Sequence, residues 1–259
     1  MDSIRYFINW ITGLHHKTGR KIVFKFEDHV ITHEEYCFEG YLYDPPVFTN
    51  KNLIIYCHGG WGSLERVPRL KDVDYYVNHG YSVLVVRYDD EFTPAPTDLN
   101  LYNDIISVHT ALCLLRKVQE YDRFILMGVS RGGFVAYQAM SGYWWGLDAC
   151  VIGGAPSDIE ALATFPPVAI LFQDPGIKSY FYQWLSPIKK PTSLNQKPLL
   201  IVHGAKDDVI PVSQANDMVT ALIGAGGSPV LKIFKDMGHS LMTKRPVMRY
   251  IVKWLGKLP

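Results

Sequence analysis

Short apolar runs that alternate with helical stretches constrain the fold of this chain more than any other feature. Their continuous apolar character is typical of strands buried on both faces. The runs lie at Leu53–Cys57, Val83–Val86, Phe124–Met127, Ala149–Ile152 and Leu199–Val202, and Val230–Phe234 is a sixth that Lys232 interrupts. Between them, segments such as Leu101–Val118 and Val212–Ile223 have helical periodicity. This order predicts an α/β fold with a mostly parallel sheet covered by helices on both faces.

The first forty residues follow a different pattern. Ile22–Phe26 and Glu34–Leu42 alternate polar and apolar residues, which predicts an antiparallel hairpin at the sheet edge. Before them, apolar residues recur at helical spacing and predict a short amphipathic helix docked on the body: Ile4, Phe7, Ile8, Ile11 and Leu14. A helix on a membrane surface is the alternative, but the polar side lacks a basic cluster.

Residues 156–197 interrupt the regular alternation. The stretch between Ile152 and Leu199 is much longer than the connection between Cys57 and Val83, and it is rich in proline and aromatic residues. We therefore expect a single domain over residues 1–259, with 156–197 as an inserted cap of short helices. Its aromatic residues, Phe181 and Trp184 among them, either line a substrate pocket or pack on the body of the domain.

The stretch GVSRGG, Gly128–Gly133, places one serine among three glycines after a buried strand and before a helix. This context is typical of a nucleophile elbow, a sharp turn that exposes the hydroxyl of Ser130. Gly128 and Gly132 are expected to lie almost against each other, so that neither can carry a side chain. A serine that caps a glycine-rich helix start is the alternative.

A serine hydroxyl is a weak nucleophile and needs a base that a carboxylate orients. The segment HGAKDDVIP follows the Leu199–Val202 run and places Asp207 in the next loop. Asp208, directly beside it, and Asp158, after the Ala149–Ile152 run, are alternative acids. The alternative to a catalytic role is that Asp207 is an ordinary loop acid or a helix cap.

The base is predicted at His239, in the segment DMGHSL after the last apolar run. Parallel strands present their C-terminal ends at one edge of a sheet, so Ser130, Asp207 and His239 should meet there. The order serine, acid, histidine is the one that a nucleophile elbow requires.

An oxyanion also needs hydrogen-bond donors. The backbone N–H of Arg131 is one candidate, and the loop HGGWG supplies the second from Gly60 or Trp61. Asp89 lies in RYDDEF, at the same sheet edge. Asp89 or a neighbouring acid belongs to a solvated loop, holds a cationic group of a substrate, or fixes Arg131.

The composition excludes several classes of function. A formal net charge of +1 gives no indication of nucleic-acid binding, and no apolar run is long enough to span a membrane. The histidines have no metal-ligand spacing, so we expect no metal, and a serine nucleophile with its base and acid implies no organic cofactor. The cysteines are widely spaced and the N-terminus does not resemble a signal peptide, which favours a cytoplasmic protein.

Together, HGGWG, GVSRGG and HGAKDDVIP resemble the α/β-hydrolase superfamily, and within it the prolyl oligopeptidase-like serine hydrolases and related esterases. The resemblance spans roughly Leu53 to the C-terminus. It implies an α/β-hydrolase fold with a small helical cap, and it favours Asp207, because the family's acid stands four residues after the histidine of the HG motif.

The resemblance implies a serine hydrolase of small or medium carboxylic esters that acts through an acyl-enzyme intermediate. Large peptidases of the group carry a preceding β-propeller, for which this chain has no room, and Trp61 stands where relatives often carry proline. Thioesterase, peptidase or amidase, and acyltransferase activities on the same residues are alternatives. A hydrolase-fold protein that binds a small molecule without catalysis is another.

Overall fold

A computed structural model describes residues 7–9, 20–25, 37–47, 51–60, 70–86, 98–118, 121–143, 146–163, 183, 185–195 and 197–258. The strands are Phe7–Asn9 (β1), Arg20–Lys25 (β2), Cys37–Tyr43 (β3), Asn52–Cys57 (β4), Ser82–Val86 (β5), Arg123–Val129 (β6), Ala149–Gly153 (β7), Leu199–Gly204 (β8) and Val230–Phe234 (β9). The α-helices are Leu70–Val77 (α1), Asp98–Val118 (α2), Arg131–Tyr143 (α3), Ile159–Ala163 (α4), Pro191–Leu194 (α5), Ser213–Gly224 (α6) and Arg245–Leu255 (α7). Two 3-10 helices lie at Pro187–Lys189 and His239–Thr243.

These strands form one sheet in the order β1-β2-β3-β5-β4-β6-β7-β8-β9. Neighbouring strands from β5 to β9 are parallel. The prediction of a mostly parallel sheet is confirmed, and each apolar run that predicted a strand lies in one. The C-terminal ends of β4, β6, β7, β8 and β9 therefore share one edge, where the loops of interest begin.

The predicted antiparallel hairpin is also present. β2 pairs with β3 in a register that places Val23 opposite Glu39. β3 then pairs antiparallel with β5, so that the hairpin joins the parallel part of the sheet.

The prediction of an N-terminal helix is wrong where the structure describes this segment. Phe7–Asn9 form a strand that pairs antiparallel with β2, with Ile8 opposite Phe24. A short isolated helix is marginally stable in water, whereas β2 offers unpaired backbone groups that a further strand satisfies. Pairing with the sheet therefore outweighs the helical spacing of the apolar residues.

Buried side chains pack on both faces of the sheet. On one face, α2, α3 and α6 cover the strands with residues such as Leu112, Tyr137 and Met218. On the other face, α1 and α7 do so with residues such as Tyr76 and Ile251. Within the described ranges, every helix is too short or too polar to span a membrane.

The insertion is described only in part, and the proposal of a cap over residues 156–197 stays a prediction. Its first residues are tied to α6, since the hydroxyl of Ser157 donates to the carbonyl of Gln214 over 2.7 Å. Near its end, the side-chain amide of Gln138 donates to the carbonyl of Leu185. Both tethers attach the described parts of the insertion to the body of the domain.

Candidate active site

The turn between β6 and α3 holds Ser130 in a strained backbone conformation. Its φ of 55° lies in the left-handed region, and Ser130 is the one non-glycine residue of the described chain with a positive φ. Such a conformation is costly for a residue with a Cβ and persists only where the surroundings impose it. This is the geometry of a nucleophile elbow.

The glycines around Ser130 are required by close backbone contacts. A Cβ at Gly128 would collide with the carbonyl of Gly132, as expected from the tight turn. A Cβ at Gly132 would instead collide with the carbonyl oxygens of Cys57 and His58, which belong to the end of β4 and the loop after it. The turn is thus pressed against the neighbouring strand as well as against itself.

Ser130, His239 and Asp207, the three residues that the sequence predicts at this edge, lie in hydrogen-bond contact. The hydroxyl Oγ of Ser130 is 2.9 Å from Nε2 of His239. The other ring nitrogen, Nδ1, is 2.9 Å from Oδ2 of Asp207. A carboxylate can only accept, so Nδ1–H donates to Asp207 and Nε2 accepts the hydrogen bond from Ser130.

The loop after β8 surrounds the carboxylate of Asp207 with donors. The backbone N–H groups of Val209 and Ile210 donate to its Oδ1 over 3.0 Å and 2.8 Å. Burial by itself would raise the pKa of Asp207, but hydrogen bonds from His203, His239 and the N–H of Ile210 hold it well below its usual range. Asp207 is therefore a fixed negative charge beside His239 at neutral pH.

The alternative acids have other surroundings. Asp208 is exposed. Asp158 accepts a hydrogen bond from the backbone N–H of Ala161 over 3.2 Å and so caps the first turn of α4. Asp207 is the aspartate that contacts His239 among the three.

The loop after β4 passes directly beside the serine. A Cβ at Gly59 would lie 2.9 Å from the carbonyl oxygen of Val129 and 3.1 Å from Cβ of Ser130. Gly60 follows with a φ of 80°. Arg131 begins α3, and the first N–H groups of a helix have no acceptor within the helix. The predicted donor Arg131 thus directly follows Ser130, and the predicted donor Gly60 directly follows the glycine that packs against Ser130.

Burial lowers the pKa of His58 to about 4, with a smaller contribution from the charge of Arg131. The ring is therefore neutral at pH 7, and its Nδ1–H donates to the carbonyl of Gly59 over 3.1 Å. His203 is also buried, and its Nε2–H donates to the carbonyl of Ile210 over 2.9 Å. Each of these histidines orders the loop that follows its strand.

Sequence reasoning missed Asp104, whose carboxylate accepts a hydrogen bond from the guanidinium of Arg131. Asp104 lies on α2 and is fully buried. A signal was available, because Asp104 falls on the same helical face as the apolar residues Val108, Ala111 and Leu115. A carboxylate on such a face needs a partner.

Trp61, Asp89, Phe181 and Trp184 lie outside the described residues, so their predicted roles stay predictions. The described residues contain no cluster of three or more His, Cys, Asp or Glu side chains that could hold a metal ion.

Comparison with known proteins agrees with this geometry. Residues 96–258 match the prolyl oligopeptidase family, whereas no curated protein matches the chain significantly. An acylaminoacyl peptidase from Pyrococcus horikoshii superposes with a TM-score of 0.73 at 17% identity, over 94% of this chain and 42% of that one. A puromycin-hydrolyzing peptidase from Mycobacterium tuberculosis gives 0.67 at 19% identity, over 84% and 36%.

The chain thus spans less than half the length of these two peptidases. An acetyl ester-xyloside bifunctional hydrolase from Caldicellulosiruptor lactoaceticus is similar over most of both chains, with a TM-score of 0.67 at 17% identity over 89% of this chain and 90% of that one. At such identities the structures show the fold, and the sequence match shows the family. The chain belongs to the prolyl oligopeptidase family and has the α/β-hydrolase fold of its serine hydrolases.

Proposed function

We propose that the chain hydrolyses carboxylic esters of small or medium size, with Ser130 as nucleophile, His239 as general base and Asp207 as the acid that orients it. The hydrogen-bonded series from Ser130 Oγ through His239 to Asp207 carries this proposal. Side chains on three different loops meet within 2.9 Å contacts, which packing alone does not require. The strained backbone at Ser130 is independent support.

In the first half of the reaction, Oγ of Ser130 attacks the acyl carbon and its proton passes to Nε2 of His239. The negative charge moves to the former carbonyl oxygen, where the N–H of Arg131 and that of Gly60 or Trp61 stabilise it. His239 then gives the proton to the departing alcohol, which leaves Ser130 esterified. Asp207 stabilises the imidazolium that forms between these two transfers.

In the second half, water attacks the acyl carbon and His239 takes the proton of that water. Collapse of the second tetrahedral intermediate breaks the bond to Oγ, and Nε2 returns the proton to Ser130. His239 suits both steps because 22% of its side chain is exposed while the carboxylate of Asp207 is fully buried. Solvent and substrate therefore reach the base but not the acid.

The family favours peptide or amide hydrolysis as a second candidate. The acylaminoacyl peptidase and the puromycin-hydrolyzing peptidase carry such activities in their names, although this chain matches them over less than half their lengths. The acetyl ester-xyloside hydrolase, which it matches over most of its length, supports an ester substrate. Thioesters and acyl transfer to an alcohol use the same residues.

Two measurements test the proposal. A fluorophosphonate probe should label the wild-type protein but not Ser130→Ala or His239→Ala. Hydrolysis rates for p-nitrophenyl esters of increasing chain length, beside matched anilides and thioesters, should be highest for esters. Each single variant should lower kcat by several orders of magnitude, and the double variant should be little worse than either, because the two residues act as a unit.

Failure of the wild-type protein to label would leave the alternative of a non-catalytic binding protein. Labelling at Ser130 together with faster hydrolysis of anilides than of esters would support the mechanism but make amides, not esters, the proposed substrate class.

A further inference from the structure

Asp104 is a charged side chain in the core that the proposed reaction does not use. None of its side-chain surface is exposed, and it lies on the face of α2 that packs on the sheet. Desolvation of a carboxylate is costly unless a partner compensates for it. The presence of Asp104 at this position therefore calls for a physical explanation.

One partner of Asp104 is a side chain at the candidate active site. Nη2 of Arg131 donates to Oδ2 of Asp104, and Nη1 of the same guanidinium donates to the carbonyl oxygen of Gly60 over 3.3 Å. Only 5% of the Arg131 side chain is exposed. One guanidinium thus joins α2, the start of α3 and the loop after β4.

Holding the Gly60 carbonyl constrains the candidate oxyanion donors. The hydrogen bond from Arg131 fixes the direction of the Gly60 carbonyl and so restrains the backbone of Gly60, whose own N–H is a candidate donor. The same bond limits rotation about the backbone of Gly60, whose positive φ marks a conformation that glycine leaves readily. A glycine-rich loop would otherwise have to be ordered during the reaction, which lowers the rate.

We propose that the side chains of Arg131 and Asp104 are positioning residues for the oxyanion hole. Asp104 orients the guanidinium of Arg131, and the guanidinium holds the loop that carries Gly60 beside Ser130. This inference rests on the proposed function, since it assigns a role in stabilising the oxyanion. The competing explanation is an ion pair that only stabilises the fold.

Two variants separate positioning from stability. Lysine in Arg131→Lys keeps a positive charge for Asp104, but a compact ammonium lacks the planar fork that reaches two acceptors on opposite sides. The double variant Asp104→Leu/Arg131→Met removes both charges, and replacing a buried ion pair by apolar residues is often neutral for stability. Both variants retain the backbone N–H of residue 131.

We expect kcat for p-nitrophenyl acetate to fall about 10- to 100-fold in both variants, as is typical of a displaced catalytic group, with KM changed less than about threefold. The rate constant of fluorophosphonate labelling should fall in parallel. Asp104→Asn, which removes the charge but keeps the shape, should show a smaller loss of the same kind. Thermal unfolding of each variant is measured alongside.

Arg116→Met is the matched control. Arg116 lies on α2, the helix of Asp104, and its guanidinium is 3.7 Å from the carboxylate of Asp148, away from Ser130. Its kcat should stay within about twofold of wild type.

A wild-type kcat in Arg131→Lys or in the double variant would overturn the positioning role. A loss of kcat that is proportional to the decrease in Tm across all variants would overturn it as well, because loss of stability would then explain the loss of activity. The labelling rate needs no substrate, so it tests the role even if esters are poor substrates. Absence of labelling in the wild-type protein would instead overturn the proposed function, and the positioning role with it.

Discussion

Asp207 and Asp208 are identical neighbours in the sequence with different surroundings in the structure. Asp207 faces His239 and two backbone N–H groups, whereas Asp208 faces solvent. Burial alone would raise the pKa of the Asp207 carboxyl, but hydrogen bonds from His203, His239 and the N–H of Ile210 lower it. The different surroundings of these two residues therefore depend on the turn at Asp207–Ile210, not on residue type.

Asp207→Asn should lower kcat by about three to four orders of magnitude, because an amide no longer holds His239 with the proton on Nδ1. Asp208→Asn is the matched control and should stay within about threefold of wild type. Initial rates on p-nitrophenyl acetate decide between them. A severe loss in Asp208→Asn with a mild one in Asp207→Asn would move the role of the acid by one residue.

His203 contacts the same turn with its buried imidazole ring. Its Nε2–H donates to the carbonyl of Ile210 and lies 3.4 Å from Oδ2 of Asp207, and its ring is 1% exposed. His203→Leu keeps the volume but leaves buried acceptors unsatisfied, which should cost about 1–3 kcal/mol of unfolding free energy and lower kcat. His203→Gln places an amide donor near the position of Nε2 and should recover most of both losses.

Urea unfolding and kcat of the two His203 variants are compared on the same preparations. If His203→Gln is as impaired as His203→Leu, the hydrogen bond to Ile210 does not explain the role of His203.

At the scale of helices and strands, the sequence predicted those elements whose burial imposes a pattern. β4 to β8 are buried on both faces and appear as continuous apolar runs, so their order and their shared C-terminal edge followed directly. That edge in turn brought Ser130, Asp207 and His239 together. β1 was predicted as a helix, because three residues at a sheet edge depend on a pairing partner rather than on their own periodicity.

The hydrogen bond between Asp104 and Arg131 could not be predicted from the sequence, for a related reason. The apolar face of α2 shows that Asp104 is buried, but the partner lies on another helix, 27 residues further along the chain. The loop that contains Asp89, which follows β5, was the more obvious source of an acid for Arg131. Only the packing of α2 beside α3 places Asp104 at that guanidinium.

The contact between the elbow and β4 predicts an effect of Gly132→Ala. A methyl group at this position would collide with backbone carbonyl oxygens of Cys57 and His58, which a change of side-chain rotamer cannot relieve. We expect kcat to fall at least about 100-fold, as for a catalytic group displaced by about 1 Å, together with a lower Tm.

Gly224→Ala, at the end of α6, is the control for Gly132→Ala. Nothing lies within 4 Å of a Cβ there, and alanine favours a helix by up to about 1 kcal/mol over glycine. Its Tm should be equal or higher and its kcat unchanged. A functional Gly132→Ala with normal Tm would show that the elbow can move away from β4 without cost.

At the scale of the whole molecule, one buried and one half-buried histidine make folding sensitive to acid. His58 follows β4, and His109 lies between α2 and α3, where its Nε2–H donates to the carbonyl of Ala139 over 3.2 Å. Burial lowers the pKa of each ring from 6.5 to about 4. Each ring is therefore neutral in the folded protein at pH 7, and protonating it within the fold costs free energy.

The sign of the resulting pH dependence follows from proton binding. Between pH 6.5 and about 4 the unfolded chain binds a proton at each of these histidines and the folded chain does not. The free energy of unfolding should therefore be at its full value above pH 6.5 and decrease as the pH falls, with a slope approaching about 1.4 kcal/mol per pH unit for each group.

The variant His109→Gln tests this expectation, because glutamine keeps a donor for the carbonyl of Ala139 but does not titrate. Between pH 6 and 4.5, the slope of its unfolding free energy against pH should correspond to about one proton less than in the wild-type protein. Urea unfolding of both proteins at half-unit intervals measures the two slopes, and the curves should run parallel between pH 7 and 8. Equal slopes below pH 6 would mean that His109 takes up its proton without unfolding the contact between α2 and α3.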